Sequence, residues 1–265
     1  MHILLKKDYA MDIIICQSAE EASERAAAII NAAVRETPAT VLGLATGSTP
    51  LPLYGEMIKA HKAGLDYSRV RTFNLDEYYG ISPQHPYSYR AFMNANLFGH
   101  INIDPANTHV PDGLARDVPA HCAAYEAAMK AAGGIDIQVL GIGGDGHIGF
   151  NEPASSLASR TRLVTLTEQT VSDNARFFAT VDEVPRHAIT MGIGTILESK
   201  KCLMLCFGAG KAKAVRAALE GGVSQFTPAS ALQMHPDTTV FLDEAAATDL
   251  QLKDYYRWTA ANHPL

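Results

Sequence analysis

Short apolar segments alternate with helical segments along almost the whole chain, and this alternation restricts the fold more than any other feature of the sequence. Strands are predicted at residues 12–16, 40–45, 70–74, 135–140, 162–166, 188–191, 201–207 and 238–242. Helices are predicted at residues 18–36, 50–64, 88–98, 169–178, 210–219 and 247–259. Such alternation is typical of a mostly parallel sheet with helices on both faces. We therefore predict a three-layer α/β fold whose ligands bind beyond the carboxyl ends of the strands.

The chain has enough apolar material for one large folded unit. It contains 265 residues, of which 47% are hydrophobic and 19% are charged. That length alone is compatible with one large domain or two small ones. The sequence contains no internal repeat and no Gly/Ser-rich linker, and both possibilities stay open at this point.

Charge and hydropathy argue against several classes of partner. The formal net charge of −6 gives no electrostatic footprint for nucleic acid or for an anionic membrane. No apolar run reaches the roughly 18 residues of a membrane-spanning helix, and the first residues lack the pattern of a secretion signal. We therefore expect a cytoplasmic protein without a nucleic-acid or membrane partner.

The four cysteines are expected to be free. Cys202 and Cys206 fall in one predicted strand, where four residues span about 13 Å, too far for a disulfide. Together with Cys16 and Cys122, they show no zinc-ribbon spacing. They are interpreted as small buried residues in a reducing compartment.

A glycine turn links the strand at 40–45 to the next helix and contains Gly47, Ser48 and Thr49. Backbone N–H groups at such a turn and at a helix N-terminus attract anions, and the two hydroxyls add donors. An ordinary helix cap by Thr49 explains the same residues equally well. The turn is thus a candidate phosphate site.

A second glycine turn follows the strand at 201–207 and reads Gly208-Ala-Gly210-Lys211. Its Lys lies in a first helical turn, where the helix dipole disfavours a cation, so a bound anion would offset that cost. The segment is not a nucleotide-binding P-loop, because the glycine spacing differs and Ala212 replaces the hydroxyl residue. A surface position for Lys211 is the alternative.

Two adjacent acids, Asp76 and Glu77, follow the strand at 70–74. On an extended backbone their side chains point to opposite sides, so one could enter a cleft while the other is structural. Burial raises the pKa of a carboxylate toward the range of a general base. A solvated acidic turn is the alternative interpretation.

The run Gly-x-Gly-x-x-Gly at 141–146 follows a strand and matches the dinucleotide-binding fingerprint. Two features contradict that interpretation. A Rossmann turn opens directly into a helix, but Asn-Glu-Pro occupies 151–153. The fingerprint also requires an acid about 20 residues further on, where this chain reads Ser-Arg-Thr-Arg at 159–162.

The same loop carries Asp145 and His147, and Glu152 follows shortly after. Histidine exchanges protons near neutral pH, and adjacent carboxylates fix its tautomer and raise its pKa. The three residues are therefore candidates for an acid–base group. A metal site is possible with these residues, although one His with two acids at this spacing matches no metal-ligand pattern. A glycine turn with a satisfied His is the alternative.

Taken together, these segments resemble the glucosamine-6-phosphate deaminase family. The matching runs are Leu-Gly-Leu-Ala-Thr-Gly-Ser-Thr-Pro at 42–50, Thr-Phe-Asn-Leu-Asp-Glu-Tyr at 72–78, His-Pro-Tyr-Ser-Tyr at 85–89 and Gly-Asp-Gly-His-Ile-Gly-Phe-Asn-Glu-Pro-Ala-Ser-Ser-Leu-Ala-Ser-Arg-Thr-Arg at 144–162. The similarity extends from about residue 40 to Glu244. The last run is the most specific, because the related 6-phosphogluconolactonases share the sheet but lack that string.

The resemblance implies a Rossmann-like sugar-phosphate isomerase fold in a single catalytic domain over residues 1–265. It implies conversion of glucosamine 6-phosphate and water to fructose 6-phosphate and ammonia, in amino-sugar catabolism, without a redox cofactor or metal. A sugar phosphate is then the expected partner, and the loop glycines are expected to leave room for the sugar beside the backbone. A sibling isomerase or lactonase and a catalytically silent sensor are the alternatives.

The resemblance also implies residue roles. Asp76 is similar to the base that moves the C2 proton to C1, and His147 to the group that opens the sugar ring with Asp145 and Glu152 as its partners. The implied phosphate clamp comprises Gly47, Ser48, Thr49, Arg176 and Lys211. From residue type alone, Arg176 could make a forked contact to phosphate, although a lone helical Arg is more often solvated.

One departure from the family pattern concerns regulation. Allosteric members bind N-acetylglucosamine 6-phosphate with residues matching Ser155, Arg162 and a Lys two positions later, but this chain has Val164 there. The resemblance therefore implies a remnant effector site with lost or reduced activation. It leaves the oligomeric state open, from monomer to homo-oligomer, and the segment at about 162–185 is the candidate lid.

Overall fold

The computed structural model describes residues 11–175 and 178–262 and contains ten strands in two sheets within them. The strands are β1 Met11–Cys16, β2 Val41–Leu44, β3 Arg71–Asn74, β4 Asp76–Tyr78, β5 Thr108–His109, β6 Ile137–Gly141, β7 Arg162–Thr165, β8 His187–Thr190, β9 Lys201–Cys206 and β10 Thr238–Asp243. Seven of them form a parallel sheet in the order β1-β10-β9-β6-β2-β3-β5. The predicted mostly parallel sheet is confirmed.

Helices cover both faces of the parallel sheet. They are α1 Ala19–Glu36, α2 Leu51–Lys62, α3 Tyr89–Asn96, α4 Val118–Ala131, α5 Glu168–Asn174, α6 Ile193–Leu197, α7 Ala212–Glu220 and α8 Lys253–Ala261. Side chains of α1, α2 and α3 pack on one face around Leu42 and Leu205. Side chains of α4, α6, α7 and α8 pack on the other face around Leu140 and Met204. Successive residues of a strand thus pack into the hydrophobic cores on opposite faces of the sheet, which gives the predicted three layers.

The strands predicted at 162–166 and 188–191 do not join the parallel sheet. As β7 and β8 they pair antiparallel with each other and with β4, in a small second sheet of order β4-β8-β7. Intermediate and exposed residues alternate along β7, the pattern of a strand with one solvated face rather than of a buried parallel strand. Strand β4 was not predicted. It begins directly after Leu75, whose N–H still bonds to Leu44 of the parallel sheet.

Several helix boundaries differ from the predictions. Helix α2 begins at Leu51, and its cap residue is Pro50, which makes no side-chain capping hydrogen bond. Thr49 therefore does not cap this helix, contrary to the alternative interpretation of the turn. The helix predicted at 247–259 begins only at Lys253. The carboxylate of Glu220 accepts hydrogen bonds from the N–H groups of Gln251 and Leu252, the two residues before this helix. Local sequence patterns do not show such a long-range cap. Helix α5 ends at Asn174 rather than 178, and α4, α6 and β5 were not predicted.

The cysteine prediction is confirmed, because all four thiols are free and buried. Among the described residues, no helix is long and apolar enough to cross a membrane.

Candidate active site

A cavity of about 910 Å³ opens at the carboxyl ends of β2, β3, β6 and β9. The loops after these four strands all contribute to its walls, together with residues along the length of α3 and residues of α5. The cavity therefore lies at the edge of the sheet where ligands of parallel α/β folds bind, beyond the carboxyl ends of the strands. Four of the predicted junctions meet there.

Asp76 lies in this cavity and is only 6% exposed. Its strand β4 places it opposite Thr190 of β8. Burial, reinforced by the adjacent Glu77 carboxylate and partly opposed by His147, raises the pKa of Asp76 to about 8. A carboxylate with such a pKa is a stronger base than an exposed one and can take a proton from carbon.

Glu77 points away from the cavity and holds the N-terminus of α3. Its Oε1 accepts the backbone N–H groups of Tyr78 and Tyr89, both at 2.9 Å, and its Oε2 accepts that of Arg90 at 3.0 Å. The prediction that the two adjacent acids diverge is confirmed. Glu77 thus holds in place the wall that α3 contributes to the cavity. Its negative charge also helps to raise the pKa of the neighbouring Asp76.

The loop after β6 folds into a tight turn around His147. The N–H of Gly143 donates to the carbonyl of His147 at 2.9 Å, and the N–H of Gly146 donates to the carbonyl of Gly143 at 3.1 Å. A side-chain carbon at Gly143 would overlap the His147 ring. The room that this glycine leaves is thus filled by the imidazole, which corrects the expectation that it leaves room for a sugar.

His147 lies between two carboxylates. Its Nδ1 is 2.7 Å from Oδ1 of Asp145 and 3.5 Å from Oε2 of Glu152, although no well-aligned hydrogen bond joins these atoms. Burial alone lowers the pKa of His147, but the two carboxylates outweigh it and raise the pKa to about 9. Burial raises the pKa of Asp145, but the imidazole outweighs it and holds that pKa below its usual range. The ring is therefore a cation at neutral pH and can donate a proton into the cavity.

The same three side chains could also hold a metal ion, since one ligand atom from each lies within 4.8 Å of the others. Metal binding requires a neutral imidazole, whereas the raised pKa of His147 favours the protonated ring. The arrangement therefore suits proton transfer better than metal ligation.

Four of the predicted anion-binding residues line the same cavity. Gly47, Ser48 and Thr49 come from the first glycine turn and Lys211 from the second. Gly47 has a positive φ of 89°, a conformation that favours glycine. The N–H of Gly208 donates to the Asp243 carboxylate at 2.9 and 3.0 Å, so the second turn offers the Lys211 ammonium rather than that amide. The predicted Arg176 lies outside the described residues.

Comparison with known proteins identifies the family. Residues 16–241 match the model of the glucosamine-6-phosphate isomerases/6-phosphogluconolactonase family. The chain belongs to this family. It is 53% identical over 255 residues to the glucosamine-6-phosphate deaminase of Arthrobacter sp. strain FB24, covering 96% of this chain and 98% of the relative. It is 54% identical over 256 residues to that of Shewanella loihica, covering 96% of each.

Solved structures of the glucosamine-6-phosphate isomerase/6-phosphogluconolactonase family agree with the fold. A monomeric glucosamine-6-phosphate deaminase superposes with a TM-score of 0.88 at 48% identity, covering 90% of this chain and all of that one (100%). The 6-phosphogluconolactonase of Trypanosoma brucei gives a TM-score of 0.74 at 19% identity, covering 92% and 100%, and so shows the shared fold alone. The resemblance inferred from the motifs is confirmed.

An aromatic wall of the cavity was not predicted. Tyr89 stacks on Phe150 with ring centroids 6.1 Å apart, and Tyr87 lies 4.8 Å from Phe178. Tyr78 contacts three of these rings. The run at 85–89 carried the resemblance to this glucosamine-6-phosphate isomerase family without an assigned role, and it supplies two of the rings. The aromatic content of that run was the available signal.

A second cavity of about 390 Å³ lies on the other side of Glu152 and is lined by Ser155, Arg162 and Val164. The Arg162 guanidinium donates to Oδ1 of Asn151 at 2.8 Å and to Oγ of Ser155 at 3.2 Å. The predicted effector residues Ser155 and Arg162 are thus adjacent, and the Arg162 guanidinium is hydrogen-bonded to side chains of the same chain. Val164 packs against the aromatic cluster.

Proposed function

We propose that this chain converts glucosamine 6-phosphate and water to fructose 6-phosphate and ammonia through the cavity that contains Asp76 and His147. One observation carries the proposal: a buried carboxylate and a protonated imidazole with opposite proton-transfer roles line the same cavity as two glycine turns suited to phosphate. Relatives at about half identity over nearly the whole chain bear the name of this activity.

In the first step, His147 opens the sugar ring. The imidazolium gives its proton to the ring oxygen O5, while the proton on O1 returns to the imidazole, so that the pyranose becomes an open-chain aldehyde. Asp145 and Glu152 stabilise the charged ring. The raised pKa of His147 supports this role, because the donor form predominates at neutral pH.

In the second step, Asp76 moves a proton between two carbons. Its carboxylate takes the proton from C2 of the open-chain amino sugar and returns it to C1. A proton passes from the amino nitrogen to the aldehyde oxygen O1 in the same isomerisation, which leaves a hydroxyl group on C1 and an imine at C2. Water adds to the imine and ammonia leaves, giving the ketose. The buried position and raised pKa of Asp76 support this role, since proton abstraction from carbon needs a strong base in a dry site.

The phosphate end of the substrate is assigned to the glycine-turn side of the cavity. The backbone at Gly47, the hydroxyls of Ser48 and Thr49 and the Lys211 ammonium supply donors there, and Arg176 is proposed as a further ligand. Charge-assisted contacts to phosphate are among the strong ones in proteins. They would hold C1 and C2 over Asp76 while His147 acts on the ring oxygens.

The segment at 162–185 is proposed as a lid over this cavity within a single catalytic domain. Thr170 and Phe178 of this segment line the cavity, which supports a covering role. A cytoplasmic location is likewise proposed, supported by the four free and buried thiols.

A substrate comparison tests the proposed function. Purified protein incubated with glucosamine 6-phosphate is expected to release ammonia and fructose 6-phosphate in equal amounts, and to hydrolyse 6-phosphogluconolactone no faster than buffer. Lactone hydrolysis without ammonia release would assign the sibling activity instead. Binding of glucosamine 6-phosphate without any turnover would assign a sensor.

N-acetylglucosamine 6-phosphate is expected to give little or no activation. The position of the family's effector Lys is occupied by Val164, so the second cavity lacks one ammonium for a phosphate, and Arg162 is engaged by Asn151 and Ser155. Initial rates against substrate should be hyperbolic and unchanged by this ligand. Strongly sigmoidal rates that the ligand makes hyperbolic would contradict the expectation. Val164→Lys is the matched variant, expected to gain affinity for the ligand.

A further inference from the structure

The first turn of α5 is hydrogen-bonded to Glu152 rather than only to its own helix. Thr167 caps the helix by accepting the N–H of Thr170 at 3.2 Å. The Thr170 hydroxyl donates to Oε1 of Glu152 at 2.6 Å, and the Thr167 hydroxyl lies 3.3 Å from the same oxygen. The two hydroxyls also lie 3.0 Å apart, with that of Thr167 able to donate to Thr170. A short hydroxyl chain therefore ends on one carboxylate oxygen.

The two oxygens of Glu152 have different surroundings. Oε1 receives the threonine hydroxyls, whereas Oε2 is buried and lies 3.5 Å from Nδ1 of His147. Within the described part of the chain Oε2 has no hydrogen-bond partner. Because a carboxylate is planar, fixing Oε1 on α5 also fixes the direction in which Oε2 points. Thr170 is itself buried, 6% exposed, and lines the cavity.

We propose that Thr170, supported by Thr167, is a positioning residue for the ring-opening step, which holds Glu152 with Oε2 directed at His147. This inference rests on the proposed function for the role of His147, but the geometry it describes does not. It also means that α5, which belongs to the proposed lid, must be docked before Glu152 can be held in position to stabilise the His147 imidazolium. When α5 moves away, Glu152 loses its short contact to Thr170.

The consequences for proton transfer have a definite direction. Among the residues that the structure describes, the titratable groups that act on the His147 ring are Asp145 and Glu152 on its own loop and Asp76 on β4. Asp145 and Glu152 stabilise the imidazolium. If the Oε2 atom of Glu152 is no longer held towards the ring, the imidazolium is less stabilised and the alkaline limb of the kcat/KM profile moves to lower pH.

The variants Thr170→Val and Thr170→Ser test this inference. Valine keeps the shape and removes the donor, so kcat/KM should fall roughly 10- to 100-fold, the range for a lost hydrogen bond to a charged group. Serine keeps the donor and should restore most of the rate and the wild-type alkaline limb. Thr180→Val, an exposed threonine of the same segment, is the control and should behave as wild type.

An open-chain inhibitor separates ring opening from binding. The amino-alditol 2-amino-2-deoxyglucitol 6-phosphate needs no ring opening, so its affinity should be nearly the same for wild type and Thr170→Val. If its affinity falls as much as kcat/KM, Thr170 acts on binding and the proposal is wrong. An unmoved alkaline limb, or a Thr170→Ser variant as impaired as Thr170→Val, would likewise overturn it.

A measurement without turnover keeps this test independent of the proposed function. The imidazole protons of His147, assigned by their loss in His147→Gln, can be titrated by NMR in the wild type and in Thr170→Val. The proposal expects a lower His147 pKa in the variant, and an unchanged value contradicts it. Failure of wild-type protein to release ammonia would instead reject the proposed function alone.

Discussion

Replacing Asp76 with Asn is expected to lower kcat by about 10²–10⁴-fold or more, while leaving substrate affinity nearly intact. The amide has the size of the carboxylate but cannot take the C2 proton, and the residues proposed to bind the phosphate are other residues of the cavity. Steady-state rates and direct titration of substrate into the variant check the two halves separately. Wild-type-like activity in the variant would remove Asp76 from the mechanism.

The same substitution is expected to stabilise the fold above about pH 4. The pKa of Asp76 is raised from 3.8 to about 8 in the folded protein, so the folded state binds a proton that the unfolded state releases between these values. Stability therefore falls as the pH rises through this window, and the cost is complete above about pH 8. A neutral Asn does not carry this cost.

Melting temperatures across the pH range measure this effect. Asp76→Asn should melt several degrees above wild type at pH 8–9, and the difference should shrink toward pH 4. Asp145→Asn is a control with the opposite expected sign. Because His147 lowers the pKa of Asp145 in the folded state, removing the Asp145 carboxylate should lower the melting temperature at neutral pH. Equal melting temperatures for wild type and Asp76→Asn at pH 9 would show that Asp76 is not strained by burial.

Gly143→Ala is expected to reduce kcat/KM by roughly 10²-fold or more, because the added methyl group overlaps the His147 ring and displaces it. Gly144→Ala is the matched control. At Gly144, no atom other than those of its chain neighbours lies within 4 Å of the corresponding position. Its variant should therefore leave the His147 ring in place and lose much less activity than Gly143→Ala.

Kinetics and thermal melting of the two glycine variants together test the cause. Neither glycine has a left-handed backbone, so loss of activity at Gly143 should come with a displaced imidazole rather than with an unfolded loop. An equal loss in both variants would indicate a backbone effect and would contradict the role of the ring contact.

Much of this site could be predicted from local sequence, because the chemistry lies at strand ends. Short apolar runs predict six of the seven parallel strands, all except β5. For the adjacent pair Asp76 and Glu77, strand geometry predicts that the two side chains diverge. The strand β4 that carries this pair is only three residues long, too short to produce a pattern. The assignment of β7 and β8 to a second sheet depends on pairing partners far apart in the chain.

The contacts that tune the site were outside the reach of sequence patterns. The fit of the His147 ring against Gly143 depends on how one turn closes, which the spacing of the glycines does not show. The bond from Thr170 to Glu152 joins residues 18 positions apart. Such bonds follow from the docking of α5 on the loop, which no single segment encodes.

Glucosamine 6-phosphate carrying deuterium at C2 tests the central claim most directly. With wild-type protein, we expect ammonia release to show a primary isotope effect and every turnover to break the C2–deuterium bond. With Asp76→Asn, neither bond breaking nor ammonia release should occur at a comparable rate. Ammonia release that leaves deuterium on C2, or that proceeds at the wild-type rate in Asp76→Asn, would contradict deamination through proton abstraction by Asp76.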